Sequence, residues 1–189
     1  MRLCQSIKKS RNLVVISGPS GSGKTSICKE LTKCPKVKQS ISYTTRKPRD
    51  GEKEGVDYCF VERSVFEKLV KEDKFIEYAE YCGHLYGTPI GPVRSAVDDN
   101  RIFLLAIDVK GAMQVMKKRP DALYIFIKAP DDETLKQRLR NRLTEDDEII
   151  NKRFMAAREE MEASKHYDYC VINDRLDDAV KEIEGILQI

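Results

Sequence analysis

The sequence predicts an α/β fold of three layers, with a parallel sheet between two sets of helices. Three observations carry this. A short apolar run, Leu13-Val-Val-Ile16, leads through a glycine-rich loop into a helical pattern. Two further apolar runs, Ile102–Ile107 and Ala122–Ile127, read as strands buried on both faces. Helical patterns separate these runs, as crossovers between parallel strands require.

The first strand, Leu13–Ile16, is followed by Gly18-Pro-Ser-Gly-Ser-Gly-Lys-Thr25, and Ser26–Thr32 reads as a helix. This run fits G-x-x-x-x-G-K-[ST] at every specified position, in the strand–loop–helix setting the pattern needs. Gly18, Gly21 and Gly23 let the backbone turn tightly, with Pro19, Ser20 and Ser22 between them. Several N–H groups can then aim at one anion, helped by the positive end of the following helix. Lys24 supplies a full charge for the β- and γ-phosphates of a nucleoside triphosphate, and Thr25 a hydroxyl for Mg²⁺.

The segment from about Ile41 to Val97 breaks the strand–helix alternation. It opens with a basic, turn-rich loop, Thr44-Thr-Arg-Lys-Pro-Arg-Asp-Gly51. A helix follows, with Ser64 and Glu67 at capping-box spacing. Phe75–Glu80 and His84–Tyr86, joined through Cys82-Gly83, read as a hairpin. The segment is a small mixed-β insertion in the α/β core.

Beyond it, helical patterns run from Lys110 to Lys118, closed by Pro120, and from Asp131 to Arg142. Arg138, Arg140, Arg142 and Arg153 surround the acidic run Glu145–Glu148, and Thr144 and Asp147 open a helix to about Ser164. Tyr169–Ile172 is a short strand. The last helix, Leu176–Leu187, sets Leu176, Val180, Ile183 and Leu187 on one face.

At 189 residues the chain suits one well-buried core with inserted subdomains. It is 41% hydrophobic and 34% charged, with a formal net charge of only +3. That balance gives no general case for binding nucleic acid or an anionic membrane. No apolar run approaches bilayer-spanning length, and the basic N-terminus lacks a signal-peptide core. The six cysteines show no C-x-x-C pair and read as reduced thiols of a cytoplasmic protein, with Cys28 and Cys59 in core segments.

These motifs, in this order, resemble the guanylate kinase family along nearly the whole chain. The carrying residues are Ser17–Thr25, Ser42-Tyr-Thr-Thr-Arg-Lys-Pro-Arg49 with Gly51-Glu52, and Gly55-Val-Asp-Tyr58. Phe75-Ile-Glu-Tyr78, Tyr86-Gly-Thr88, Ile107-Asp-Val-Lys-Gly111, Arg138-Leu-Arg-Asn-Arg142 and Ile150-Asn-Lys-Arg153 complete the set. The resemblance implies a single domain with a P-loop NTPase core of three layers, at 1–40, 98–137 and 154–189. A mixed-β GMP-binding subdomain lies at 41–97, and a helical lid at 138–153. It implies transfer of a phosphoryl group from ATP, with Mg²⁺, to GMP.

By resemblance, Arg46 and Arg49 hold the GMP phosphate with the hydroxyls of Tyr58 and Tyr86, beside Glu52 and Gly87. A planar guanidinium matches phosphate oxygens bidentately. Glu77 and Asp108 accept from guanine N1–H and the 2-amino group, while Ser42 and Thr88 contact O6. Adenine has neither donor, so it would leave these carboxylates unpaired. Arg138, Arg142 and Arg153 close over the ATP phosphates, with Lys24 and Arg46 completing the catalytic set, and Asn173 lies near the ATP base or ribose. The phosphate acceptor is already anionic, so neither His84 nor His166 is needed as a base.

Two departures stand out: Ala106 replaces a common acidic residue, and Leu143 replaces a glycine. The alternatives are a non-catalytic module of the same fold, whose phosphate loop is typically degraded, or a sugar-phosphate kinase, which has no use for the guanine-recognising set. A GTPase is disfavoured because no N-K-x-D motif occurs. Oligomeric state stays open between monomer and homodimer.

Overall fold

A computed structural model describes residues 9–81, 83–96, 101–140 and 147–189. Its centre is a parallel sheet built on β1 (Ser10–Ser17), with Leu13, Val14, Val15 and Ile16 fully buried. β1 is flanked by β7 (Ile102–Ala106) and β8 (Ala122–Lys128), and the outer places go to β2 (Val37–Gln39) and β9 (Tyr169–Ile172). The order is β2-β7-β1-β8-β9, with every pairing parallel.

Alternation along the central strands splits the core in two. Val14, Ile16, Leu104, Ile125 and Ile127 pack with α1 (Lys24–Leu31) and α7 (Leu176–Leu187). Leu13, Val15, Phe103, Leu105 and Tyr124 pack with α3 (Ile90–Ala96) and α4 (Val109–Lys118). Both sheet faces are therefore covered, which is why these strands read as continuous apolar runs. The three-layer α/β expectation holds.

The inserted segment forms a second, mixed sheet from β3 (Tyr43–Thr44), β4 (Cys59–Phe60), β5 (Phe75–Tyr81) and β6 (His84–Pro89), in the order β4-β3-β6-β5. β3 pairs parallel with β4 and antiparallel with β6. The β5–β6 hairpin turns at Gly83, whose φ is 79°. Phe66 of α2 (Arg63–Lys71) stacks on Phe75 at 4.6 Å, in space that Gly87 leaves clear. The free edge of β5 is covered by α4. Gln114 donates to the Tyr78 carbonyl at 2.7 Å, and Lys118 donates to that of Ile76. Covering an edge in this way blocks further strand pairing and ties the second sheet to the core.

α5 (Asp132–Arg140) and α6 (Asp147–Met161) pack through Leu135, Leu139, Phe154 and Ala157. Among the described residues no helix is long and apolar enough to cross a membrane.

Several local expectations need correction. α2 starts two residues earlier than a Ser64 cap requires, so Glu62 is its N-cap with no side-chain hydrogen bond, and Ser64 lies within the first turn. Glu67 instead accepts from Arg63, four residues before it. Cys59 is only half-buried, in a two-residue strand, whereas Cys28 is fully buried. β2 escaped the sequence reading because it is three residues long with one buried side chain. The α-helix expected to reach Ser164 stops at Met161 and tightens into a 3₁₀ turn, Glu162–His166. Cys82, Val97, Arg142, Leu143 and Thr144 lie outside the described residues.

Candidate active site

Adjacent parallel strands β1 and β7 end side by side, with Ile16 in register with Ala106. The loops that leave them, Gly18–Gly23 after β1 and Ile107-Asp108 after β7, therefore share one end of the sheet, where open α/β sheets bind ligands.

The loop after β1 is shaped by its glycines. Gly18, at φ 147°, backs directly onto the carbonyl of Ile127, where a Cβ would overlap it. Gly23, at φ 94°, is the left-handed N-cap of α1, and a Cβ there would overlap the Asn173 amide nitrogen. Lys24 folds over the loop, its ammonium donating to the carbonyls of Gly18 at 2.5 Å and Pro19 at 3.0 Å. Thr25 is exposed in the first turn of α1. Cys28 lies beneath, and burial pushes its thiol up to about 12 despite Lys24, so it is chemically quiet.

Asn173 reaches this loop from the far end of β9. It is 5% exposed and donates through Nδ2 to the Ser22 carbonyl at 2.8 Å. Arg138 is tied to the turn that carries Asn173. It donates to the carbonyls of Asn173 at 2.8 Å and Asp174 at 3.2 Å, because the end of β9 presents two acceptors to the last turn of α5.

The basic loop is organised around Glu52. Its Oε1 accepts from Arg46 at 2.8 Å and its Oε2 from the Arg49 N–H at 2.7 Å. Arg46 also donates to the Lys47 carbonyl at 2.6 Å and stacks over Tyr58 and Phe60. Burial disfavours its charge, yet Glu52 and the Tyr86 hydroxyl hold its guanidinium above the ordinary value. Burial acts the other way on Glu52, but Arg46 and the Arg49 amide keep it below the usual carboxylate range. A carboxylate repels anions, so Glu52 is suited to fixing Arg46 and the Arg49 backbone rather than to binding a phosphate itself. Tyr58 meets Tyr86 edge-on at 6.0 Å. Arg49 is exposed.

Glu77 lies on β5 where its register with β6 slips, the kind of irregularity that turns a side chain off the regular pleat. It is 4% exposed. Thr88 donates to its Oε1 at 2.5 Å, and Thr88 lies 3.3 Å from the Ser42 hydroxyl. Its Oε2 rests against Gly111, where a Cβ would overlap it. Asp108 caps α4, accepting from the Gly111 N–H at 2.7 Å. Burial first, then the Asp108 carboxylate, push Glu77 up to about 7, against the Thr88 hydrogen bond and Lys118. Ser42, Glu77, Thr88 and Asp108 thus form one cluster of hydroxyls and carboxylates.

The guanylate kinase family model matches residues 10–189. The chain belongs to the guanylate kinase family. It is 42% identical over 176 residues to a guanylate kinase of Desulfitobacterium hafniense (strain Y51), covering 93% of this chain and 88% of that one. A crystal structure of guanylate kinase from Anaplasma phagocytophilum matches with a TM-score of 0.78 at 32% identity, over 97% of this chain and 86% of that one. An uncharacterized protein from Eubacterium ventriosum shares the fold alone, with a TM-score of 0.51 at 14% identity.

For a guanylate kinase the sequence reading missed one charged group. Glu160, half-buried on α6, is raised to about 7, first by burial; Lys24 and Lys110 pull it down and Asp108 pushes it up. It brings a carboxylate toward Lys24 where Ala106 supplies none. The only signal in the sequence was its place seven residues after Arg153, on the same helix face. Arg153 is half-buried near the start of α6. His84 is half-buried, and His166 is exposed.

Proposed function

We infer that the protein transfers the γ-phosphoryl group of ATP to GMP, giving ADP and GDP. The observation that carries the choice of acceptor is the buried Glu77 carboxylate, fixed by Thr88 and close enough to Asp108 to feel its charge. When ionised, it accepts from the two donors on the guanine edge that adenine lacks. Ser42 and Thr88 supply hydroxyls for O6. Arg46 and Arg49, pre-set by Glu52, hold the acceptor phosphate with Tyr58 and Tyr86, and Gly87 keeps the neighbouring backbone free of a side chain.

Phosphoryl transfer needs alignment and charge stabilisation more than covalent help. Gly18–Gly23, Lys24 and Thr25 take the donor phosphates. Arg138, Arg142 and Arg153 supply lid charge, and Arg138 also braces the turn that carries Asn173 on the ATP side. The acceptor phosphate attacks directly, so no side chain need remove a proton.

The residues fit Mg²⁺ brought with ATP. Thr25 offers an exposed hydroxyl, and among the described residues no group of three or more His, Cys, Asp or Glu could hold an ion alone. Mg²⁺ is characteristically held by few protein groups plus substrate phosphates, where it neutralises charge on the transferred group. We further assign 41–97 as the GMP-binding subdomain and 138–153 as the lid, closing over a core of 1–40, 98–137 and 154–189. Closure would exclude water and limit wasteful hydrolysis of ATP.

A coupled ADP-release assay offering GMP, AMP, CMP and UMP in turn tests the reading. GMP should be the best acceptor by far. Equal use of all four, or no GMP-dependent release, refutes it.

A further inference from the structure

The peptide between Ser22 and Gly23 belongs to the phosphate loop, and one side chain from outside the loop takes hold of it. Asn173 Nδ2 donates to the Ser22 carbonyl at 2.8 Å. A trans peptide points its C=O and its N–H in opposite directions. Drawing the Ser22 carbonyl outward toward Asn173 therefore turns the Gly23 N–H inward, toward the anion cradle. A second observation agrees. Gly23 adopts φ 94°, and a Cβ there would overlap the same Asn173 nitrogen. The glycine is thus needed both for its conformation and for the approach of this amide.

Asn173 is itself held on both sides. Its N–H donates to the Lys128 carbonyl at 2.8 Å, and its carbonyl accepts from Arg138 at 2.8 Å. Its side chain is buried, so water does not compete for the Ser22 carbonyl.

We propose that Asn173 is a positioning residue for the phosphate loop, aiming the Gly23 N–H at the donor phosphates by restraining the Ser22–Gly23 peptide. This rests on the reading that the loop holds a nucleoside triphosphate. It assigns Asn173 an action on the phosphates through the loop, separate from any contact with the base or ribose.

Inorganic tripolyphosphate separates the two roles, because it has neither base nor ribose. Calorimetric titration of wild type, Asn173→Ala and Asn173→Asp with Mg-tripolyphosphate and with Mg-ATP is the test. Loss of one buried hydrogen bond should weaken both ligands by the same factor, about three- to tenfold, in N173A. N173D sets an acceptor against the Ser22 carbonyl and should weaken both further. Unchanged tripolyphosphate affinity in folded variants, with or without a loss for ATP, overturns the proposal. Should neither variant fold, wild type labelled with ¹⁵N decides. The Gly23 amide proton should move downfield on adding tripolyphosphate, and one that does not respond overturns the proposal. The titrations and the amide shift use no phosphate acceptor, so they are independent of whether GMP is the substrate.

Discussion

Glu77→Gln should make the free protein more stable while abolishing its use of GMP. The Glu77 carboxyl is raised from 4.5 to about 7 by burial and by Asp108, against Thr88 and Lys118. The folded chain therefore keeps a proton that the unfolded chain gives up between those two values. Stability falls as pH rises through this window and is level above it. A displacement of this size corresponds to about 3 kcal/mol at pH 8 and under about 1 kcal/mol at pH 5. Glutamine keeps an oxygen to accept from Thr88 and carries no charge, so it removes the penalty. At pH 8 the variant should gain about 3 kcal/mol, or roughly 6–12 °C in Tm for a domain of this size. At pH 5 most of the gain should vanish. Glu160 also titrates upward, but it is present in both proteins and cancels in the difference. The amide would set a donor against the guanine donors, so kcat/KM for GMP should fall at least about 100-fold. Urea unfolding of both proteins at pH 8 and pH 5, beside the ADP-release assay, checks this. A variant no more stable than wild type at pH 8, or equally stabilised at both pH values, refutes the electrostatic reasoning.

Arg46→Ala should raise the KM for GMP and lower turnover without unfolding the chain, and an unchanged rate at limiting GMP would remove Arg46 from the site. Glu52→Gln should give a milder rise in the same KM, because the carboxylate fixes Arg46 at 2.8 Å without touching phosphate; KM values equal to wild type would show that the loop keeps its shape without it. Ile125→Ala, at a fully buried position of the central sheet, should cost about 2–5 kcal/mol in urea unfolding, and a cost under about 1 kcal/mol would contradict the packing described. Small-angle scattering should show compaction when both nucleotides are bound, and unchanged dimensions would count against closure of the lid and GMP-binding subdomain.

The sequence alone determined the layers of this fold and the donor half of its site. Leu13–Ile16, Ile102–Ile107 and Ala122–Ile127 are apolar on every residue because helices cover both sheet faces, so local composition revealed a tertiary fact. The loop proposed to hold the donor was legible because its residues are contiguous: the glycines, Lys24 and Thr25 follow one another in a single run. The acceptor residues were legible only as a family pattern. Their chemistry is assembled from Ser42, Glu77, Thr88 and Asp108, which no local spacing links. Tertiary structure decided how those groups are held. Glu77 is buried and raised because Thr88, Asp108 and Gly111 crowd it from other elements. Ser64 looked like a cap, but α2 begins at Arg63, whose pairing with Glu67 holds its first turn. Arg138 was legible as a lid candidate, and only the fold brings it to the two carbonyls at the end of β9 that hold it. Ala106 left a gap in the acidic surroundings of the loop, and only the packing of α6 brings Glu160 toward Lys24. The reason is common to all four. Spacing along a chain reports hydrogen bonds and periodicity within a few residues, whereas burial, and the charge states it sets, depend on which distant elements meet.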